Sequence, residues 1–345
     1  MITLTYKKNK IPLQEGQSVL EALLEGGQFI PYACKQGVCQ SCLLKADQGD
    51  VPVVSQVGLK PTQQAQNYFL SCLCKPDNDL DLVDCHDLGS KAVAQLVSVT
   101  ELTPSVYALS LTIQGDFTYK AGQYINLIRP SDQLTRSYSI ASTQAMTIET
   151  IDLHIKVFPG GEMSNWLCSP SSTGAELSLM GPMGNCFYLP EFKEKKMLLL
   201  GYSTGLAPLY GILREALSKG HTGDIHLYHW GTSPEDLYYQ AEILALTKAH
   251  SNVFYKTGLE MAEPEGEGAP LTAQRSAEQC LSGEACAVVK NDLPELKDWK
   301  IFLCGSQDKV NKARRVFYLA GADLSDIYAD AFFTWQTSEV AEKVS

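Results

Sequence analysis

Four cysteines in the first quarter of the chain have the spacing of an iron–sulfur site. Cys34, Cys39 and Cys42 lie in the stretch CKQGVCQSC, and Cys72 follows after 29 residues in FLSCLCKP. Three thiolates on one tight loop and a fourth from a distant element can enclose a [2Fe-2S] cluster. Gly37 lets the loop backbone come close to the sulfur atoms. The spacing therefore predicts a cluster held by these four cysteines.

Other interpretations of these cysteines stay open at this point. Structural zinc prefers two short cysteine pairs, and the second pair here would be the tight Cys72 and Cys74. A redox couple of Cys39 and Cys42 would leave the other cysteines without a role. Cys74 remains an alternative to Cys72 as the fourth ligand. The chain has eleven cysteines, and this odd number argues against complete pairing in disulfides.

Two stretches in the middle of the chain could bind an aromatic ligand that carries phosphate. In RSYS, residues 136–139, the arginine can hold a diphosphate through two hydrogen bonds. The tyrosine can pack against a ring system, and a serine can hydrogen-bond to a ring nitrogen. In GGEMSNWL, residues 160–167, two glycines precede a predicted helix and leave N–H groups suited to phosphate. Each stretch alone is also typical of an ordinary surface strand or turn.

The last part of the chain has the pattern of a nucleotide-binding fold. The stretch KKMLLLGYSTGLAPLYGILREAL, residues 195–217, is an apolar run, a glycine-rich turn and an amphipathic helix. This predicts a buried parallel strand that leads into a helix. The stretch lacks the G-x-G-x-x-G fingerprint of dinucleotide sites. A second strand, turn and helix follow in residues 223–246, and Cys304-Gly305 ends a further apolar strand.

The pattern of strands and helices around these residues predicts three folded parts. MITLTYK and LDLVD alternate as strands, and SVLEALLEGG is typical of a helix that ends at glycine. Many short strands separated by Gly and Pro between residues 92 and 192 indicate a small antiparallel β-barrel. Strands that alternate with helices after residue 193 indicate a parallel α/β sheet. Residues 256–290, rich in Glu, Gly and Pro, are expected to form an exposed acidic loop.

Composition excludes some classes of function. The 345 residues carry a formal net charge of −11, which makes the chain a poor general binder of nucleic acid. No apolar run approaches the roughly 20 residues that a membrane-spanning helix needs. The N-terminal segment has lysines but no apolar stretch after them, so it does not resemble a signal peptide. We therefore expect a cytoplasmic protein that binds neither nucleic acid nor membrane.

The first two parts resemble known families. Residues 1–88 resemble plant-type ferredoxins through CKQGVCQSCLLKADQGDV and FLSCLCKP, which implies a β-grasp fold of the α+β class. Residues 92–192 resemble the FAD-binding barrel of the ferredoxin–NAD(P) reductase family, which carries R-x-Y-S on a strand and G-x-x-S at a helix start. The resemblance implies that FAD is bound by Arg136, Ser137, Tyr138, Ser139, Gly161, Met163 and Ser164.

Residues 193–335 resemble the NAD(P)-binding α/β domain of the same family through GYSTGLAP and DAF, and residues 336–345 form a tail. In this chain Tyr202 and Ser203 stand where the family has glycine, and Thr232 where it has arginine. The nucleotide contacts that the resemblance implies are Gly201, Thr204, Gly205, Glu235, Asp236, Cys304 and Gly305. The catalytic positions that it implies are Ser139, Thr204, Cys304 and Phe332.

The choice between NADH and NADPH depends on two carboxylates. By the resemblance, Glu235 and Asp236 would lie near the ribose of the adenosine. Carboxylates there would repel a 2′-phosphate, which favours NADH over NADPH. The alternative is that both residues follow Pro234 only to start a helix.

The order of cluster, flavin and nicotinamide domains resembles NADH-dependent reductase components of bacterial multicomponent oxygenases. A hydride carries two electrons and a [2Fe-2S] cluster accepts one at a time, so a flavin must lie between them. The resemblance implies electron flow from NADH to FAD, to the cluster and to a separate acceptor protein, expected to be a terminal oxygenase. Residues 1–90 carry seven lysines against ten acidic residues, which favours a basic docking site on that acceptor.

Three alternative functions remain at this level. The first is a reductase for a non-oxygenase acceptor, in deoxysugar dehydration or with a small molecule. The second is a redox-sensing regulatory module, because the substitutions at Tyr202, Ser203 and Thr232 could reflect a degenerate nicotinamide site. The third is an interaction protein whose fold is stabilised by structural zinc.

Overall fold

The computed structural model of the chain describes residues 2–37, 39–84, 90–144, 150–260 and 280–332. The chain divides into two compact units, Met1–Gly89 and Ser90–Ser345. Phe333, Trp335, the tail 336–345 and the centre of the expected acidic loop, 261–279, lie outside the described residues. In the described ranges no helix has both the length and the apolar character needed to cross a membrane.

The N-terminal unit is a five-stranded mixed sheet with a helix packed on it. Its elements are β1 (Ile2–Tyr6), β2 (Asn9–Leu13), α1 (Val19–Glu25), β3 (Leu43–Gln48), α2 (Pro61–Gln64), β4 (Tyr68–Leu70) and β5 (Leu80–Asp84). The strand order is β2-β1-β5-β3-β4, with β1 and β5 parallel. The strands expected from MITLTYK and LDLVD are thus present, and the β-grasp prediction is confirmed.

Helix α1 begins and ends where its sequence predicts. Ser18 and Glu21 form a capping box in which each side chain bonds the backbone of the other, and Gly26 follows the last helical residue. Val19 and Leu23 are completely buried against the sheet. The cysteine loop lies between this helix and β3, so both of its ends are fixed by the core.

The second unit begins with a six-stranded antiparallel sheet. Its elements are β6 (Ser90–Thr103), β7 (Val106–Gln114), β8 (Tyr124–Ile128), β9 (Thr135–Ser139), β10 (Thr150–Lys156), α3 (Glu162–Leu167) and β11 (Glu176–Met183). The order is β10-β7-β6-β11-β8-β9, and a bridge between Ile140 and Leu153 joins the two edge strands. That bridge closes the sheet into the predicted barrel, whose interior is filled by aliphatic side chains.

The remainder of the second unit is a parallel sheet covered by helices. Its elements are β12 (Met197–Tyr202), α4 (Leu206–Ser218), β13 (Ile225–Gly231), α5 (Gln240–Ala249), β14 (Val253–Leu259), β15 (Cys280–Ser282), α6 (Ala285–Asp292), β16 (Lys300–Ser306), α7 (Gln307–Leu319) and β17 (Ile327–Phe332). All strand pairs in the order β15-β14-β13-β12-β16-β17 are parallel. From β12 the chain adds β13, β14 and β15 on one side and then β16 and β17 on the other. The connections that follow β12 and β16 therefore run in opposite directions, and such a switch point leaves a crevice at the carboxyl ends of the strands.

The expected acidic loop over residues 256–290 is wrong at both ends. Strand β14 covers its first residues, and β15 with α6 covers its last ones. Local preference agrees with this strand, because Val253, Phe254, Tyr255 and Thr257 are residue types that strands favour. Gly258 has weak strand propensity, but it lies in the sheet where it packs against the Trp230 ring. The expectation of a loop from residue 256 onward therefore extended the character of the acidic residues too far towards the N-terminus.

Candidate cofactor-binding sites

The cysteine loop points backbone N–H groups at its own sulfur atoms. The N–H groups of Gln36 and Cys39 each lie 3.4 Å from Cys34 Sγ, and the Cys34 N–H lies 3.5 Å from Cys39 Sγ. Hydrogen bonds from Ser41 and from the Cys34 N–H lower the pKa of the Cys39 thiol to about 6. The loop is therefore built to stabilise negative charge on sulfur, which is what iron ligation requires.

A glycine brings this loop against the turn that carries Cys72. The backbone of Gly37 has φ +77°, and a Cβ there would lie 2.4 Å from Leu73 Cδ1. A side chain at this position would displace the Leu73 side chain and would have to adopt a positive φ, which glycine adopts without strain. The loop thereby meets the residue that follows Cys72 in the chain.

Cys72 and Cys74 have different surroundings. Burial, together with a hydrogen bond to the Cys42 thiol, raises the pKa of Cys72 to about 11, and the Cys34 thiol is also close enough to contribute. Cys74 is completely buried in the core, where burial raises the pKa of its thiol to about 12 and its hydrogen-bond partner is Ser55. Cys72 therefore lies with the loop thiols. Within the described residues, no three His, Cys, Asp or Glu side chains gather around a single-ion site.

The strand RSYS lies at the edge of the barrel sheet with one face open. Arg136 and Ser137 are exposed and Tyr138 is half-buried. Arg136 donates to the Thr135 carbonyl at 2.8 Å, and Ser137 Oγ donates to Asn126 Oδ1 at 2.7 Å. Among the described residues no carboxylate pairs with the Arg136 guanidinium. Its charge is therefore available for a diphosphate, as the sequence predicts.

The glycine-rich turn before α3 has a mixed outcome. Ser164 is nearly buried, and a Cβ on Gly161 would lie 2.6 Å from its hydroxyl oxygen. The Met163 side chain packs into the barrel core with 2% exposure. Met163 can therefore meet a ligand only through its backbone, which is compatible with the expectation that it binds from the helix start.

A hydrogen bond joins the barrel to the last strand of the parallel sheet. Ser139 Oγ donates to Asp330 Oδ2 at 2.7 Å across 191 residues of sequence. Asp330 pairs in the sheet with Cys304, so the bond places the end of β9 next to the crevice. Burial raises the pKa of the Asp330 carboxyl to about 6, although the bond from Ser139 opposes this shift. Phe332, two residues further on, is half-buried at the end of β17.

The glycine-rich turn after β12 packs directly against the end of β16. A Cβ on Gly205 would lie 2.2 Å from the Cys304 carbonyl oxygen, so no larger residue fits there. Thr204 is half-buried beside it, and Gly201 is buried under the turn. The Cys304 thiol is fully buried, 3.8 Å from Cys186 Sγ. The Cys304 side chain therefore lies in the core, while its carbonyl packs against the glycine-rich turn.

Asp236 is the centre of a buried polar network at the same crevice. Its side chain is 1% exposed and forms an ion pair with Lys156 of β10. The Ser203 hydroxyl donates to Oδ1 at 2.7 Å, and the Thr232 N–H and hydroxyl donate to Oδ2 at 2.9 and 3.0 Å. Burial alone would raise the pKa of Asp236, but Lys156, Ser203 and Thr232 hold it well below its usual range.

This network changes the interpretation of two sequence features. Asp236 is turned inward and is not available to repel a 2′-phosphate, so the carboxylate that remains exposed on this turn is Glu235. Pro234, Glu235 and Asp236 form a short 3-10 helix that is capped by Ser233 and Asp236, so the alternative that these residues start a helix describes Asp236, while α5 begins later at Gln240. Ser203 has φ +52°, a strained value for a non-glycine residue. Its bonds to Asp236 and Lys156 hold it in that conformation.

Comparison with known proteins gives three domain matches along the chain. Residues 2–77 match the family model of the 2Fe-2S iron-sulfur cluster binding domain. Residues 93–188 match the oxidoreductase FAD-binding domain, and residues 199–314 the oxidoreductase NAD-binding domain. The chain belongs to the ferredoxin–NAD(P) reductase family.

Relatives of this reductase have the same domains over nearly their whole length. The chain is 27% identical over 320 residues to the reductase subunit of an aromatic O-demethylase from Amycolatopsis sp., covering 89% of this chain and 91% of the relative. It is 28% identical over 329 residues to the reductase component of a naphthalene 1,2-dioxygenase system from Pseudomonas putida, covering 94% and 95%. The crystal structure of an Amycolatopsis cytochrome P450 reductase superposes with a TM-score of 0.64 at 25% identity, covering 96% of this chain and 99% of that one.

The cofactor prediction is confirmed: the reductase has domains for a [2Fe-2S] cluster, FAD and a nicotinamide nucleotide, and it is an oxidoreductase. The described residues fit these groups. The loop N–H groups face sulfur, the Arg136 guanidinium has no carboxylate partner among them, and the Gly205 turn packs on the end of β16 without a side chain between them.

Sequence analysis missed Lys156 and recognised Asp330 only as part of the DAF motif, without a partner. Lys156 ends the largely buried strand β10, and Asp330 lies in the otherwise apolar strand β17. A charge inside a buried strand is itself a signal, because buried charges are almost always paired. The sequence could not name the partners, since Asp236 lies 80 residues from Lys156 and Ser139 lies 191 residues from Asp330.

The Asp236 network predicts an acid-sensitive contribution to stability. The folded pKa of Asp236 lies below the unfolded value of about 4. Its stabilisation is therefore complete above about pH 4 and is lost as the pH falls through the folded pKa. Asp236→Asn should lower the free energy of unfolding at neutral pH by about 3 kcal/mol, because it leaves Lys156 without its partner. The variant should also lose less stability than the wild type on acidification. Urea unfolding followed by tryptophan fluorescence measures both effects.

The control for this prediction is Glu260→Gln. Glu260 pairs with Lys309, but both side chains are 29% exposed. Loss of that pair should cost about 1 kcal/mol or less. Equal losses in the two variants would contradict the importance of the Asp236 network.

Proposed function

We propose that the chain is an NADH-dependent reductase that passes electrons from NADH through FAD and the [2Fe-2S] cluster to a separate acceptor protein. The observation that carries this proposal is the Ser139–Asp330 bond of 2.7 Å. It brings the flavin strand of the barrel to the crevice of the nucleotide sheet, where the turn at Gly205 meets the Cys304 carbonyl. A hydride donor and its acceptor must meet in one site, and this arrangement provides one.

Bound FAD supplies a centre that accepts a hydride and returns electrons singly, as a one-electron cluster requires. The residues of the chain bind and orient. Arg136, with the backbone at Gly161 and Ser164, would hold the diphosphate of FAD, and Ser139 would bond its ring. Gly201, Thr204 and Gly205 would hold the nicotinamide nucleotide. The domain division that goes with this is 1–88, 92–192 and 193–335.

The acceptor that we propose is a terminal oxygenase component. Support comes from relatives that are named as reductase components of a naphthalene dioxygenase system and of an aromatic O-demethylase. Glu235, exposed at the turn after β13, supports NADH over NADPH because a carboxylate there would repel a 2′-phosphate.

An anaerobic visible spectrum before and after nucleotide addition tests the proposed function. We expect flavin and iron–sulfur bands in the purified protein, and rapid bleaching of both by NADH. NADPH should bleach them more slowly, because its 2′-phosphate meets Glu235. If neither nucleotide changes the absorbance of these bands, the result would contradict the reductase assignment and favour a regulatory module. Faster bleaching by NADPH would reverse the nucleotide preference alone.

Cys72→Ser and Cys74→Ser form a matched pair that tests the fourth cluster ligand. We propose Cys72, because its thiol contacts Cys42 and Cys34 while Cys74 lies in the core. Cys72→Ser should lose most of its iron and its visible circular dichroism. Cys74→Ser should retain both at a small cost in stability. The reverse result would assign the ligand to Cys74.

The raised pKa of Asp330 predicts a pH-dependent hydride step. Above about pH 6 the Asp330 carboxylate accepts the Ser139 hydrogen. Below it the protonated carboxyl can donate instead and free the hydroxyl hydrogen of Ser139 for another acceptor. Anaerobic stopped-flow should therefore show flavin reduction slowing about fivefold as the pH rises through this value, the equivalent of one hydrogen bond of about 1 kcal/mol.

Variants of the pair identify the group that titrates. The rate of flavin reduction in Asp330→Asn should not change across this pH range, because an amide does not ionise there. Ser137→Ala is the matched control on the same strand and should keep the inflection, since its hydroxyl bonds Asn126 instead. An inflection that survives in Asp330→Asn would assign it to another group.

A further inference from the structure

The N-terminal unit exposes large apolar side chains close to its cysteines. Eleven such side chains are exposed in the described residues, and five of them lie between residues 29 and 57. These five, here called the cluster face, are Phe29, Tyr32, Val53, Val54 and Val57. Phe29 is 84% exposed and Val53 is 82% exposed. Exposed apolar groups are ordinary when scattered, but a concentration of them marks an interaction site.

The turn that carries the three valines buries its polar side chain and exposes its apolar ones. Ser55 is fully buried and donates to the Pro52 carbonyl at 2.6 Å, while the valines on either side of it point outward. Burial of one valine is worth about 1.5–3 kcal/mol, so this arrangement forgoes stability that a turn with the opposite pattern would gain. A partner that covers the valines would recover it.

Both segments of the cluster face are attached to the cysteine-bearing elements. Tyr32 lies two residues before Cys34 in the chain. The turn at residues 53–58 is tied to the cysteine loop by Gln40, whose side-chain amide donates to the Gly58 carbonyl at 2.9 Å. It is tied to strand β4 by Gln56, which donates to the Tyr68 carbonyl at 2.9 Å. Both segments of the face are therefore connected directly to the elements that carry the cluster ligands.

The charge around this face differs in sign from the rest of the unit. Residues 26–46 and 51–67 contain none of the ten acidic residues of the first 90, but three of their seven lysines. Lys35 is exposed, and its ammonium lies over the Tyr32 ring at 4.8 Å. The surface next to the cluster is thus apolar with a basic border, although the unit as a whole is acidic.

We propose that the cluster face docks an electron-acceptor protein whose contact surface is apolar at its centre and acidic at its border. The proposal rests on the proposed function, because an electron leaves the cluster most easily through the surface nearest to it. Apolar anchors at the centre supply affinity, and opposite charges at the rim steer the encounter. It replaces the sequence-based expectation of a basic docking site, since the two segments themselves contain lysines and no acidic residue.

The experiment measures electron transfer from the chemically reduced cluster, so it does not depend on activity with NADH. The holoprotein is reduced with dithionite, freed of excess reductant and mixed in a stopped-flow instrument with oxidised cytochrome b5, an acidic haem protein. Val54→Asp with Val57→Asp should slow haem reduction about tenfold or more, because like charges at an interface are strongly unfavourable. Val97→Asp is the matched control: Val97 is 47% exposed on β6, and its variant should match the wild type. Iron content must equal that of the wild type in every variant.

Lys35→Glu tests the acidic border separately and leaves the valine turn intact. It should slow reduction of cytochrome b5 and speed reduction of cytochrome c, a basic haem protein, in the same assay. Changes in the same direction for both would overturn the acidic-partner assignment. If the valine variants reduce cytochrome b5 as fast as Val97→Asp does, the result would overturn the proposal that the cluster face is a docking surface.

Bleaching by NADH, recorded in parallel, separates this proposal from the proposed function. A wild type that NADH does not bleach, with valine variants that still slow cytochrome b5, would leave the docking surface supported and the reductase assignment contradicted. Valine variants that slow cluster reduction by NADH but not cytochrome b5 would overturn the proposal, because the face would then serve the flavin-bearing unit of the same chain.

Discussion

The close approach of Gly205 to the carbonyl oxygen of Cys304 is the constraint on which the nucleotide crevice depends. A Cβ at Gly205 would lie 2.2 Å from that oxygen, so the turn after β12 can rest on the end of β16 only because it ends in glycine. The two strands are neighbours at the switch point of the sheet, where β13 lies on one side of β12 and β16 on the other. Their carboxyl ends therefore form one edge of backbone, free of bulky side chains, where a dinucleotide can be held.

Two buried polar contacts join the barrel to this crevice. Ser139 bonds Asp330, and Lys156 pairs with Asp236. Buried polar pairs contribute little net stability compared with apolar packing, but a mismatched arrangement is costly. We infer that these contacts select one orientation of the barrel relative to the parallel sheet. A hydride transfer needs such a fixed geometry more than it needs a strong acid or base, because distance and alignment govern its rate.

The N-terminal unit balances a different pair of demands. Its loop must donate N–H groups to sulfur, and its surface must leave the cluster accessible to another protein. Gly37 meets the first demand by letting the loop close on Leu73. In the proposed docking face, the turn around the buried Ser55 meets the second by exposing valines. An apolar centre with a polar border is the usual composition of an interface between proteins that associate transiently.

The sequence by itself determined the cofactors, the three-part architecture and the four candidate cluster ligands. These depend on short motifs and on strand or helix periodicity, which a few neighbouring residues control. The tertiary structure decided which side chains meet. It separated Cys72 from Cys74, turned Asp236 inward towards Lys156, buried the thiol of Cys304, and gave strand β14 its place in the sheet. The physical reason is that these outcomes depend on packing between segments that are distant in the sequence, by as much as 191 residues for Ser139 and Asp330, or on which side of a turn faces the core, and local pattern carries neither.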